Sequence, residues 1–189
     1  MTGDGAVPTA PAHALAVDRL DSFTDEDLHA LCEATSAAII DGGGFGWVNP
    51  PGRQSLESYF RGVLLVPERE LFVGRLDGVI VACAQLVRPP RNNEAQAFAA
   101  SLMHSFTAPY ARGVGIGRMV TQRIEERARA LGYHVLNLDV RETQHAAIAL
   151  YRSLGYHQWG THPAYARVRG ETLSGLFFYK KLQKGGRKI

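Results

Sequence analysis

Three glycines at alternate positions, Gly113, Gly115 and Gly117, stand in the stretch Arg-Gly-Val-Gly-Ile-Gly-Arg (112–118). Before it lies an apolar run at 97–107. After it, Ile116, Met119, Val120, Ile124, Ala128 and Leu131 keep helical spacing until Gly132 ends the pattern. The chain must therefore turn sharply from a strand into a helix here. Such a turn lets successive backbone N–H groups point inward together, and the helix N-terminus adds partial positive charge. That construction suits a phosphate or pyrophosphate, and Arg112 and Arg118 flank it with cations. A tight strand-to-helix turn needs glycines whatever it binds, so the loop alone leaves a purely structural role open.

Two nucleotide-binding patterns fit poorly. A phosphate loop of the Gly-Lys-Ser/Thr type needs a lysine, and the first lysine after the loop is Lys180. A dinucleotide fold places Gly-x-Gly-x-x-Gly in the first strand–turn–helix unit, with an acid about 20 residues on. Here the spacing is Arg-x-x-Gly-x-Gly, and the unit comes late in the chain.

Upstream, 13–19 alternates like a strand. Thr24 with Asp25, Glu26 and Asp27 opens a helix predicted to run to 40. The glycine-rich break at 41–51 leads to a second predicted helix at 54–65. Asp77-Gly78 joins strands at 70–75 and 79–87, the pairing expected of a tight hairpin. Downstream come a strand at 135–140, a short helix at 144–154 and two strands at 156–168 and 173–182. The 189 residues argue for one domain. Its expected bounds are 13–182, between a disordered segment at 1–12 and a basic tail at 183–189.

Composition narrows the function classes. The net charge of +3 would favour an acidic partner, but residues 180–189 hold five cations and no acid. The first 179 residues carry 16 arginines and 18 acids, so nucleic acid is not expected as a partner. No apolar run approaches the roughly 18 residues of a membrane span, and the N-terminus lacks the apolar core of a signal peptide. Cys32 and Cys83 form neither a disulfide framework nor a metal-ligand spacing, so the expectations are a cytoplasmic protein with no metal.

The Arg-x-x-Gly-x-Gly loop opening a helix after the fourth strand resembles the GNAT superfamily of acetyl-CoA-dependent acetyltransferases. The segment Ala146-Ala-Ile-Ala-Leu-Tyr151-Arg-Ser-Leu-Gly155-Tyr156 is similar to that family's second signature. The two occur in the family's order with one strand between them. Within the superfamily, the C-terminal half resembles the tabtoxin-resistance type. It does so at Leu138-Asp139-Val140-Arg141, Pro163-x-Tyr165-Ala166 and Phe177-Phe178-Tyr179-Lys180-Lys181, with Gly44-Phe45-Gly46-Trp47 as an early aromatic loop.

The resemblance implies an α/β (α+β) fold, a mixed, mostly antiparallel sheet of about seven strands with about four helices around it. Strands four and five would splay apart to admit acetyl-CoA. Backbone groups near Phe106 and Thr107 would pair with the pantetheine. Amides across Gly113, Val114, Gly115, Ile116, Gly117 and Arg118, with the Arg112 side chain, would hold the pyrophosphate. Gln144 would bond the cofactor in place of a common Asn, and Ala147 shares its helix. Tyr151 matches the general acid that protonates the departing thiolate, although its position on a face with Leu150 and Leu154 also suits a core aromatic.

The general base is open. An alkyl amine with pKa near 10 is roughly 99.9% protonated at pH 7, so its proton needs an acceptor. Many relatives carry a glutamate where this chain has Ser101, and no Asp or Glu occurs between Ala95 and Ile124. Asp139 on the adjoining strand is the first choice. His104 has the opposite strand parity to Ser101 and is expected on the other face. Glu94 lies about 23 Å farther along an extended strand. Water relayed through Ser101, or a low-pKa amine, would need no carboxylate. Phe45, Trp47, Ser101 and Tyr165 are the expected acceptor-side residues, although Trp47 equally suits an anchor for its loop.

The function this implies is N-acetylation of a primary amine on a small molecule by a monomer or homodimer. Acetylation of a protein lysine or N-terminus is the enzymatic alternative, and a non-catalytic acyl-CoA-binding module the other.

Overall fold

A computed structural model of the protein describes residues 13–43 and 46–182. The predicted segments at 1–12 and 183–189, and Phe45, lie outside the described residues. Seven strands form one sheet in the order β1-β2-β3-β4-β5-β7-β6. They are β1 (Leu15–Leu20), β2 (Arg69–Leu76), β3 (Val79–Val87), β4 (Ala99–Thr107), β5 (Val135–Arg141), β6 (His157–Val168) and β7 (Glu171–Lys181). The helices are α1 (Asp25–Ile40), α2 (Arg53–Leu65), α3 (Ile116–Ala130) and α4 (His145–Ser153). This mixed sheet with its four helices is the predicted fold, with element ends shifted by one or two residues.

Local chemistry explains the boundaries. The Thr24 hydroxyl caps α1 by accepting from the Asp27 amide at 3.1 Å, with three acids in the first turn facing the positive helix end. Asp77 and Gly78 both have positive φ, at 50° and 86°, as a two-residue hairpin matched to strand twist requires. Helix α3 crosses β2 at Gly74, where a Cβ would lie 2.6 Å from Ile116 Cγ1. Glycine is what allows that contact.

Two apolar layers cover the sheet. On one face α3 and α4 bury Ile116, Val120, Ile124 and Ile148 against Leu86, Leu102, Leu136 and Phe178. On the other, α1 and α2 bury Leu31, Leu56 and Phe60 against Leu71, Val73 and Cys83. Polar clamps join the layers to the sheet. Arg127 on α3 grips the carboxylate of Glu70 on β2 through two hydrogen bonds of 2.7 and 3.0 Å. Arg75 on β2 holds Asp27 on α1 in the same two-pronged way.

One irregularity decides where the chemistry can sit. All strand pairs are antiparallel except β4 with β5, which run parallel and pair only at Ala99–Val135, Ala100–Leu136 and Ser101–Asn137. Beyond Ser101 the two strands separate, leaving a cleft in the sheet.

Candidate active site

The glycine loop stands at the wide end of this cleft. Gly113 and Gly115 take positive φ of 84° and 93°, a conformation that turns amides inward and that side chains resist. No atom lies within 4 Å of a Cβ built on either residue. A groove of about 560 Å³ runs from this loop along Ser105, Phe106 and Thr107 of β4 to Gln144, Ala147 and Tyr151 at α4. Arg112, Ile116, Gly117 and Arg118 also line it. Val114 does not, because its side chain packs against the apolar layer under α3.

Several groove residues are held by neighbours. Arg112 pairs with Asp41 at the end of α1, 2.6 Å away. Arg118 donates to the Ser153 hydroxyl at 2.7 Å. The Gln144 amide donates to the Gly42 carbonyl at 2.7 Å, tying α4 to the loop after α1. Tyr151 is 4% exposed, with its ring against Tyr156 and Phe178. Burial raises its pKa, and a hydrogen bond with Ser105 only partly opposes this, so the phenol keeps its proton at neutral pH. Tyr151 is thus a core aromatic whose protonated side chain also lines the groove.

A second cavity, about 490 Å³, opens on the far side of the cleft. His104, Asp139, Arg141, Tyr165 and Arg167 line it, together with Gly46 and Val48. Ser105, Gln144, Ala147 and Tyr151 line both spaces, so groove and cavity meet beside the Tyr151 hydroxyl. The Tyr165 hydroxyl donates to Asp139 Oδ2. Burial first, and this bond second, push the Tyr165 pKa up to about 12.

Three acceptor-side expectations are corrected. Trp47 does not line this cavity. It packs edge-on against Tyr59 of α2, with centroids 5.2 Å apart, which makes it an anchor for its loop. Ser101 does not line the cavity either; it lies in a neighbouring trough with Phe98, Trp159 and Phe177, which shares Met103 and Asp139 with the cavity, because it belongs to the paired stretch of β4 before the strands part. His104, expected on the opposite face, shares the face of Ser101. A bulge adds one residue to β4, so that Met103 pairs with Gln85 but Phe106 with Cys83. His104 sits in this bulge with φ of 52°, and its ring lies 6.1 Å from that of Tyr59. Glu94 lies in a short helical turn at Glu94–Gln96 and lines neither cavity.

Strand alternation misses His104 because nothing in the sequence marks the bulge. The available signal is weak: histidine is among the few side chains enriched at positive φ.

A sheet parted after the pairing of strands four and five, with a glycine loop at the opening, is the architecture that the sequence resemblance implies for an acyltransferase. The Acetyltransferase (GNAT) family matches residues 37–156, and the chain belongs to that family. It is an N-acetyltransferase. Over 128 residues it is 62% identical to an uncharacterized N-acetyltransferase of the hisH–hisA intergenic region of Azospirillum brasilense, spanning 68% of this chain and 76% of that one. A solved ribosomal-protein-alanine N-acetyltransferase from Brucella melitensis superposes with a TM-score of 0.74 at 26% identity, over 88% of this chain and 99% of that one. A phosphinothricin acetyltransferase from Sinorhizobium meliloti, solved in complex with AcCoA, shares the fold. Its TM-score is 0.73 at 22% identity, over 95% of this chain and 93% of that one.

Proposed function

We propose that the chain transfers the acetyl group of acetyl-CoA to a primary amine of a small molecule by direct attack on the thioester. The observation that carries this reading is the meeting of groove and cavity at Ser105 and Tyr151, across the gap between β4 and β5. The groove fits the cofactor. Amides of Gly113 to Arg118, with Arg112 and Arg118, face its pyrophosphate, and backbone groups of Phe106 and Thr107, released from β5, face its pantetheine. Acetyl-CoA supplies the activated acyl group.

The residues around the junction then have separable tasks. Asp139 and Tyr165 attract and orient the ammonium form of the acceptor. Tyr151 gives its proton to the sulfur as the carbon–sulfur bond breaks, so that a thiol departs. Holding both partners at one junction supplies much of the rate. A cavity of about 490 Å³ is of the size that encloses a small molecule, which favours such an acceptor over a protein side chain. The tabtoxin-resistance resemblance points the same way through Asp139 and Tyr165. Likeness to a ribosomal-protein-alanine acetyltransferase favours a protein N-terminus as the second reading.

The test has two stages. Acetyl-CoA should raise the melting temperature, and thiol release should then be followed against a panel of free amines and of peptides. Release with free amines supports the proposal. Release with peptides alone would replace it by the second reading.

A further inference from the structure

Cleft geometry leaves one titratable side chain that the sequence pattern sends to the wrong face. His104 occupies the β4 bulge, between the Met103–Gln85 and Phe106–Cys83 pairs of β4 with β3 and beyond the last β4–β5 pair at Ser101. Its positive φ turns the ring to the face of α2, while the next residue, Ser105, meets Tyr151 from the other side. Two consecutive residues thus bracket the junction of groove and cavity, with an imidazole on the acceptor side and a phenol beyond.

We propose that His104 is the general base of the transfer and takes the proton of the acceptor ammonium, a role that rests on the acetyltransferase reading above. Its environment suits the task. Burial foremost, and then the Arg69 guanidinium, hold its pKa below the usual imidazole value, so the ring is neutral at pH 7 and can accept a proton. Around it are Tyr59 on α2 and Arg69 on β2, which Gln85 of β3 links by accepting from Arg69 and donating to the Tyr59 hydroxyl. Asp139 and Arg141 face it from β5, Tyr151 from α4, and Tyr165 and Arg167 from β6. Asp139 is the carboxylate of this set, and it opposes the downward shift. It therefore stabilises the imidazolium once the proton has moved.

Asp139 is a weaker candidate for the same step. Its Oδ2 already accepts the Tyr165 hydroxyl. The protons balance as follows. The ammonium gives one to His104, and the free amine attacks the thioester carbon. As the tetrahedral adduct collapses, the carbon–sulfur bond breaks and Tyr151 protonates sulfur. The second nitrogen proton restores Tyr151, and one proton in all leaves from the imidazolium to water.

The test compares the wild type with His104→Gln and Asp139→Asn over pH 5 to 10, using one alkyl amine and one amine whose own pKa lies below 7. With the alkyl amine, His104→Gln should lose about 100-fold in kcat/KM at neutral pH and recover steadily as the pH approaches that of the free amine. With the low-pKa amine, which needs no base, the loss should be under about threefold. Thermal stabilisation by acetyl-CoA should be unchanged, which separates the effect from misfolding. Equal losses on both amines would overturn the proposal, as would this pattern in Asp139→Asn instead. A wild type that binds acetyl-CoA yet acetylates neither amine would sink the acetyltransferase reading itself, and His104 with it.

Discussion

The Tyr165 hydroxyl donates to Asp139 across the mouth of the acceptor cavity, and the ring that carries it lies on the backbone of Gly175 in the neighbouring strand. A Cβ at Gly175 would overlap the Tyr165 ring carbons, so the absence of a side chain in β7 sets the position of a phenol in β6.

Gly175→Ala should therefore displace Tyr165 and release Asp139. The expected outcome is a rise of about tenfold in KM for the acceptor, with a stability loss of about 1–3 kcal/mol from the forced repacking. Steady-state kinetics beside a melting curve measure both. Stabilisation by acetyl-CoA should persist, since Gly175 lines neither the groove nor its loop.

Tyr151→Phe retains the buried ring and removes the proton donor. It should lower kcat by about 100-fold while acetyl-CoA still stabilises the fold to the same extent. A variant with unchanged kcat would assign Tyr151 to packing alone.

Asp41 places a negative charge 2.6 Å from Arg112, beside the loop expected to meet the pyrophosphate. Asp41→Asn should tighten acetyl-CoA binding by about two- to fivefold at low salt. Both side chains are near 40% exposed, so the gain should fade at high ionic strength. Calorimetric titration at two salt concentrations checks it.

Glu70 is 8% exposed, and its pKa lies below the usual value although burial, the largest influence, acts upward, because Arg127 and Arg19 outweigh it. A carboxylate with a depressed folded pKa stabilises the protein above its unfolded value, about 4.3, and loses that contribution as the pH falls through the folded value. Arg127→Met should cost about 2 kcal/mol at pH 7. That is less than for a fully buried pair, since Arg127 is 35% exposed, and corresponds to about 4–8 °C in melting temperature. The difference from wild type should shrink below pH 4.

Much of the fold is legible in the sequence because its cues are local. Asp77-Gly78, Gly132 and Gly155 punctuate the elements, and the glycine loop with Leu150-Tyr151 marks the cleft. The acceptor side is less legible because it depends on long-range events. The bulge at His104 reverses a parity that a regular strand would impose, and it contains neither Gly nor Pro to mark it. Trp47, in the loop after α1, is diverted by Tyr59, a partner on α2. Arg141 and Arg167 come together in the cavity only through the pairing of β5, β7 and β6.

Thiol release from acetyl-CoA in the presence of small primary amines tests the central claim most directly. Saturable, amine-dependent release with an acetylated amine as product is expected, together with stabilisation of the protein by acetyl-CoA at tens of micromolar. Absence of stabilisation together with absence of release across the amine panel would contradict the claim.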